Sequence, residues 1–317
     1  MWGRIRHHVR LWTVVTFTLA ACLAAGCTGG GPAPVSPTSP SVTTSTAATD
    51  LTLPGMAQHA VDMLQGEAGG RPIIRVTVSP QEATLTYVDK GQAVTWSWSN
   101  GAVAVINSPV TYVDQASFNP ASFSLDDVGS LFARAAAVSG SNSQQELQIN
   151  EYNQGKVLMT VTTSPESQTV FFRPNGTMID ALDLTTGPGL AEALADITGG
   201  VEAVVGIGLL DGALWADIRL SDQQVEHRVR PAKLPAYTVL RTDRTKVAPF
   251  SPALVQPQVI ASILADVAAN RHVSPNQITL TMDTRDDLGY AALRFTTGVT
   301  TVVYTPDGID ITAQIAR

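Results

Sequence analysis

One pattern occurs four times between Leu51 and the end of this 317-residue chain, and it restricts the fold more than any other feature. Each repeat begins with a short amphipathic helix and continues with about three strands in which apolar and polar residues alternate. The helices begin near Pro54, Phe118, Pro188 and Phe250. Alternation indicates antiparallel sheets with one covered face, and the helices supply the cover. The predicted fold class is α+β: repeated α-β-β-β units forming antiparallel sheets with helices packed on one face.

The second and fourth repeats resemble each other most closely. Phe118-Asn119-Pro120 corresponds to Phe250-Ser251-Pro252, and the turn at 174–176 corresponds to the turn at 306–308. In the second repeat, Ser124 is the predicted N-cap of a helix whose buried stripe is Val128, Leu131, Phe132 and Ala135. Predicted strands are 147–149, 157–161 and 170–172 in the second repeat, and 278–282, 291–295 and 299–304 in the fourth, with a last strand beginning at 309–311.

The first and third repeats diverge more from this pattern. Their predicted helix stripes consist of Ala57, Ala60, Val61 and Leu64, and of Leu190, Leu194 and Ile197. Their predicted strands are 73–78, 83–87, 94–98 and 103–106, and 204–209, 214–220 and 225–229. Asp211-Gly212 is typical of a hairpin turn between two of these strands.

The similarity between the second and fourth repeats favours two domains of two units each, residues 51–182 and 186–317. The alternative is a single continuous sheet with all four helices on one side. In element order alone, the unit resembles the helix-plus-meander of PepSY-type and β-lactamase-inhibitor-type modules. That resemblance assigns no role to any residue.

The N-terminus carries an export signal. A basic start with Arg4, Arg6 and Arg10 precedes an apolar stretch over 11–22, which is the composition of a secretory signal peptide. Leu23-Ala24-Ala25-Gly26-Cys27 then resembles the lipobox of bacterial lipoproteins, although Ala24 stands where that family most often has Leu. The resemblance implies removal of 1–26, lipidation of Cys27, and attachment through that lipid to the outer face of the cell membrane.

Two other outcomes remain open for the same segment. An ordinary signal peptidase that cuts after Ala25 would release a soluble protein. An uncleaved membrane helix is the second outcome, but 11–26 is shorter than the ~20 apolar residues that a span requires. After Cys27, residues to Asp50 are rich in Gly, Pro, Ser and Thr. They are typical of a linker with a reach of roughly 25–30 Å, and their composition also suits O-glycosylation.

Charge and cysteine content exclude several functions. Loss of the signal segment lowers the formal charge from −7 to −10. Because a body this acidic repels phosphate backbones, we expect no nucleic-acid partner. Cys22 lies in the predicted signal peptide, and Cys27 is the predicted site of lipidation. The mature body therefore has no thiol for a disulfide, a nucleophile or a metal site. We expect no cofactor.

Candidate catalytic groups are sparse in the body. His59, His227 and His272 form no H-x-x-x-H pair, and no nucleophile elbow or phosphate-binding loop is present. The densest acidic cluster is Asp283, Asp286 and Asp287. It lacks the EF-hand spacing for Ca²⁺ and is more typical of a hairpin turn in which Arg285 balances part of the charge. We predict no catalytic residue, no metal site and no enzymatic activity.

Trp96 and Trp98 are the remaining candidates. Alternation places both on one strand face, where they pack under the first helix or form an aromatic face for a ligand or partner. The sequence favours a non-enzymatic binding or protein-interaction module at the cell envelope, with an envelope protein as partner. The alternatives are a carrier of lipid or another apolar ligand, and a hydrolase of wall polymer that uses paired carboxylates.

Overall fold

The computed structural model describes residues 50–315, apart from residues 167, 244, 245 and 287. The predicted signal peptide, Cys27 and most of the predicted linker lie outside this part of the chain. In the first half, the elements are α1 (Met56–Ala68), β1 (Ile73–Val78), β2 (Glu82–Asp89), β3 (Gln92–Ser99), β4 (Ala102–Ile106), α2 (Val128–Ser139), β5 (Glu146–Asn153), β6 (Lys156–Thr162) and β7 (Val170–Phe172).

The second half follows the same order of elements. It contains α3 (Gly187–Thr198), β8 (Gly206–Leu210), β9 (Ala213–Ser221), β10 (Gln224–Pro231), β11 (Tyr237–Thr242), α4 (Pro257–Arg271), β12 (Thr279–Asp283), β13 (Ala292–Thr297), β14 (Thr300–Tyr304) and α5 (Thr312–Ile315). The four long helices and the strands confirm the repeated helix-then-strands pattern.

The strands form two seven-stranded antiparallel sheets. The first has the order β4-β3-β2-β1-β5-β6-β7, and the second has the order β11-β10-β9-β8-β12-β13-β14. Each sheet therefore joins two repeats through their first strands, β1 with β5 and β8 with β12. The predicted α+β class is confirmed, and the described strands do not form the alternative single sheet.

Each sheet has its own hydrophobic core against its helices. The first core contains the predicted stripes of α1 and α2 together with side chains of β1, β2, β5, β6 and β7. The second contains Leu190 and Ile197 of α3 and most of the predicted stripe of α4, with Leu194 and Val259 only partly buried. The hydrophobic periodicity thus identified the buried helix faces correctly.

The structure differs from the sequence-based expectations in three places. The N-cap of α2 is Asp127, whose Oδ1 accepts a hydrogen bond from Ser130 N (2.9 Å), and not Ser124. Residues 309–311 make one isolated bridge, Tyr304 with Asp310, before the chain turns into α5. The edge strand β11 was not predicted, because its largely exposed residues do not alternate in burial.

Polar contacts join the first sheet to the segment that leads into β11. Tyr152 Oη donates to Pro235 O (3.2 Å), Lys156 Nζ donates to Ala236 O (3.0 Å), and Thr238 N donates to Asn153 Oδ1 (2.7 Å). These bonds connect the β5–β6 hairpin of the first sheet with the start of β11 in the second.

Candidate interaction site

The open edge of the first sheet is formed by β4, which pairs with β3 on one side only. Its five residues, Ala102-Val103-Ala104-Val105-Ile106, are exposed except for Val103, which is partly buried. The exposed fraction of Val105 is 58%. An edge strand presents N–H and C=O groups that have no partner in the sheet, so a further strand can pair with it.

The two faces of this edge differ in chemistry. Val103 pairs with Trp98 and Val105 pairs with Trp96, so both valines continue the apolar, helix-covered face of the sheet. Ala104 pairs with Ser97 on the opposite face, which is polar. On that face the hydroxyl groups of Thr86 and Thr95 lie 2.8 Å apart in a buried contact.

The segment that contains the edge carries no charge. Residues 91–113 include no Asp, Glu, Lys or Arg, although the whole chain has a formal charge of −7. Proteins commonly protect edge strands with charges, prolines or bulges. The strand β4 has neither charge nor proline, and its pairing with β3 has no register shift.

A tight turn fixes the geometry of this hairpin. Asn100 and Gly101, between β3 and β4, have φ values of 52° and 78°. Positive φ at both central residues defines the two-residue type I′ turn, whose twist matches that of paired strands, and Asn-Gly is its preferred sequence. The turn therefore holds β4 in register, with Val103 and Val105 on the tryptophan face.

The predicted aromatic face is only partly accessible. Trp98 is buried in the first core, with an exposed fraction of 3%, and its Nε1 has no hydrogen-bond partner among the described residues. Trp96 is half-buried, and its Nε1 donates to Tyr87 Oη over 3.4 Å. Of the two, Trp96 keeps the larger surface for a partner, next to Val105.

The other sheet edges differ from β4. Ile179 N donates to Phe171 O beside β7, and Ile311 N donates to Val303 O beside β14, so the following chain covers part of both edges. The edge strand β11 exposes Val239 and Leu240 but carries Arg241. Its Thr238 N–H already donates to Asn153.

The described clefts are open, and their linings are partly polar and partly apolar. One of about 570 Å³ lies at the end of the first sheet and is lined by Ser79, Pro80, Gln81, Gln144, Gln145, Glu146, Thr162, Thr163 and Ser164. A cleft of about 280 Å³ is lined mostly by apolar residues, including Val157, Leu158 and Ile179, beside the charged Lys156, Arg173 and Asp196.

Two clusters of charged side chains lie on the second sheet. His227 Nδ1 lies 2.6 Å from Asp217 Oδ1, Arg241 pairs with the same carboxylate, and the rings of His227 and Trp215 are 5.6 Å apart. This cluster groups one predicted histidine with partners that the sequence did not single out, because strand register brings them together. His59 is exposed on α1, and His272 adopts a left-handed conformation after α4.

The acidic cluster in the β12–β13 connection is neutralised by arginine. Arg285 Nε lies 2.8 Å from both oxygens of Asp283, Arg294 Nη1 donates to Asp283 Oδ1 (3.0 Å), and Arg294 also pairs with Asp286. Asp287 lies outside the described residues. The described residues contain no group of three or more His, Cys, Asp or Glu side chains that could hold a metal ion.

The same cluster lowers the pKa of Asp283. Burial alone would raise the pKa of Asp283, but the hydrogen bonds from Arg285 and the charges of Arg294 and Arg285 outweigh it and lower that pKa below its ordinary value. The carboxylate is therefore held ionised by its neighbours, as expected of a structural ion pair.

Comparisons with known proteins identify no family. No family model and no curated protein match the chain. TolB from Acinetobacter baumannii is 9% identical, with a TM-score of 0.14 over 73% of this chain and 39% of that chain. A DNA polymerase sliding clamp from Pseudomonas aeruginosa is 12% identical, with a TM-score of 0.13 over 78% and 62%. The chain thus spans less than two thirds of either protein, and these scores support no argument about fold or function.

Among the described residues, no helix combines the length and apolar composition needed to cross a membrane.

Proposed function

We propose that this protein is an exported lipoprotein, anchored to the outer face of the cell membrane through Cys27, that acts as a non-enzymatic interaction module. Its described body would contact an extended protein segment at β4. The open, uncharged edge formed by Ala102–Ile106 carries this proposal. Strand addition draws affinity from backbone hydrogen bonds and specificity from alternate side chains, here Val103 and Val105.

The anchor is supported by the basic start, the apolar stretch and the small residues that precede Cys27. Two acyl chains on one residue suffice for stable attachment, whereas one is marginal. Labelled palmitate should enter the wild-type protein and not the Cys27→Ala variant. Equal labelling of both proteins, or of neither, would contradict the anchor.

The interaction is tested by a photo-crosslinking amino acid placed at Val105 in cells. The matched control is Val299, a fully exposed valine in the β13–β14 turn. We expect a discrete protein adduct from position 105 and none from position 299. Equal adduct patterns at both positions would contradict a docking role for β4.

A carrier of lipid or another apolar ligand is the alternative. Native mass spectrometry of the body without its lipidated terminus separates the two. Co-purified lipid would support the carrier, and a mass that equals the bare chain would support the module. Hydrolysis of wall polymer has no supporting carboxylate pair at the proposed site, because residues 91–113 contain no acid.

A further inference from the structure

We infer that the strand added at β4 is β4 of a second copy of this chain, so that two molecules join their first sheets around a two-fold axis. This inference rests on the proposed interaction at β4 and specifies its partner. A two-fold axis perpendicular to a sheet relates two edge strands in antiparallel orientation, which is the orientation of every strand pair in this fold.

The charge distribution favours a second copy of this chain as the partner of β4. The mature chain has a formal charge of −10, so most surfaces of two copies repel each other. Residues 91–113 carry no charge, and contact there brings no acid opposite its own image. The carboxylate of Glu82 on the same sheet face already accepts a hydrogen bond from Ser97 Oγ (2.6 Å). A basic partner could form no ion pair on this edge, whereas an identical edge is equally uncharged and brings no unpaired charge into the contact.

The sequence of β4 is also self-complementary. With the axis at Ala104, each Ala104 lies opposite its image, and each Val103 lies opposite Val105 of the second copy. The four valines then meet on the tryptophan face, beside Trp96 of each molecule. Each such cross-strand pair of apolar side chains stabilises strand pairing relative to alanine. Association would remove the exposed surface of Val105 from water.

The contact is small by the standard of stable dimers. A paired strand of five residues lies below the ~1,600 Å² of an ordinary interface, so we expect weak association in dilute solution. Anchoring both copies in one membrane raises their effective concentration, and the linker of 27–50 allows the bodies to meet. The dimer is therefore a property of the membrane-bound form.

Cysteine crosslinking tests the register directly, because a lipidated Cys27 leaves no free thiol in the mature chain. Ala104→Cys in the full-length protein, oxidised in membranes, should give a disulfide-linked species of twice the monomer mass, since directly opposed residues lie about 4.5–5.5 Å apart. Ala102→Cys is the matched control. It is exposed on the same face and strand, but lies roughly 13 Å from its image. Wild-type protein measures any crosslinking through Cys27.

A charge next to the axis is a second test of the same contact. Val105→Lys places two ammonium groups within the valine cluster, and should reduce Ala104→Cys crosslinking at least tenfold. Val299→Lys, in the β13–β14 turn of the second sheet, should leave the Ala104→Cys crosslinking unchanged. Circular dichroism of both variants verifies that the fold is retained.

The outcomes separate this inference from the proposed function. Equal crosslinking of Ala102→Cys and Ala104→Cys, or none in either, overturns the two-fold contact. Position 105 can then still give a photo-adduct whose mass differs from twice that of the chain. In that case β4 binds another protein, and only the assignment of a second copy as the partner is wrong. Absence of both the disulfide and any adduct overturns the two together.

Discussion

Arg230 is fully buried in an acidic, disulfide-free protein. Its Nε donates to Asp196 Oδ2 (2.8 Å), and its Nη2 donates to Asp180 O (2.9 Å). Its Nη1 donates to the carbonyls of Pro231 and Leu234. Each nitrogen of the guanidinium thus donates at least one hydrogen bond, and such pairing is the condition under which a buried charge is tolerated. Sequence alone did not identify it, because an arginine at an alternating strand position resembles a solvated one.

Removing the acidic partner should therefore be costly. Asp196→Asn leaves Arg230 buried without a counter-charge, and breaking a buried pair in this way costs about 3–5 kcal/mol. Urea unfolding measures the loss. Asp89→Asn is the matched control, because Asp89 pairs with Arg71 at an exposed site and such pairs contribute at most about 1 kcal/mol. Equal losses in the two variants would contradict the importance of burial.

The lowered pKa of Asp283 predicts that part of the free energy of unfolding is lost in acid. Because its pKa is lower in the folded state than in the unfolded chain, it stabilises the fold above its unfolded pKa of about 3.9. That contribution is lost as pH falls through the lowered folded pKa. Unfolding free energies measured between about pH 6 and pH 2 should fall less steeply in Asp283→Asn than in wild type. Arg285→Gln should flatten the profile in the same direction, and an unchanged profile in both variants would contradict the assignment.

At the scale of elements, similar sequences occupy equivalent places. Phe118 bridges Ile73 beside the first sheet, and Phe250 bridges Val204 beside the second. Asn119 and Ser251 then cap the short turns that precede α2 and α4. The similarity between repeats therefore reflects how the chain returns from the open sheet edge, at β4 or β11, to the helix layer. Tertiary contacts alone show that this return is the shared feature.

Two helical glycines should respond oppositely to alanine. At Gly189 in α3, a Cβ would lie 2.0 Å from the backbone oxygen of Asp183, so Gly189→Ala forces the backbone apart and should destabilise by about 1–3 kcal/mol. At Gly66 in α1, a Cβ meets nothing within 4 Å. Gly66→Ala should stabilise by about 0.5–1 kcal/mol through helix propensity. Thermal unfolding compares the two, and shifts of the same sign would contradict this packing.

At the scale of the whole molecule, two hydrophobic cores are connected through polar bonds. Phe172 lies in the first core and Phe295 in the second, both with no exposed surface. Bonds such as Lys156 Nζ to Ala236 O join segments between them. Each core is organised around one sheet, and the hydrogen bonds outside the cores contribute only about 1 kcal/mol each. We therefore expect the two sheets to open independently.

Hydrogen exchange measures this independence. Phe172→Ala should cost about 3–5 kcal/mol and accelerate exchange in β1–β7, with little change in β8–β14. Phe295→Ala should produce the converse pattern. If either variant accelerates exchange equally in both sheets, the body unfolds as one cooperative unit, and the predicted division into residues 51–182 and 186–317 is wrong.

The sequence alone determined most element types, the buried helix faces and most strand positions, because hydrophobic periodicity is a local property that follows burial. It also predicted the α+β class. The tertiary structure decided which strands lie at sheet edges, since pairing order depends on contacts distant in sequence. Residues 102–106 differ little in composition from an inner strand, and only the order β4-β3-β2-β1 exposes Val105 and leaves Ala104 free to face its own image. The same long-range pairing buried Trp98, assigned partners to Arg230, and enclosed Asp283 between two arginines.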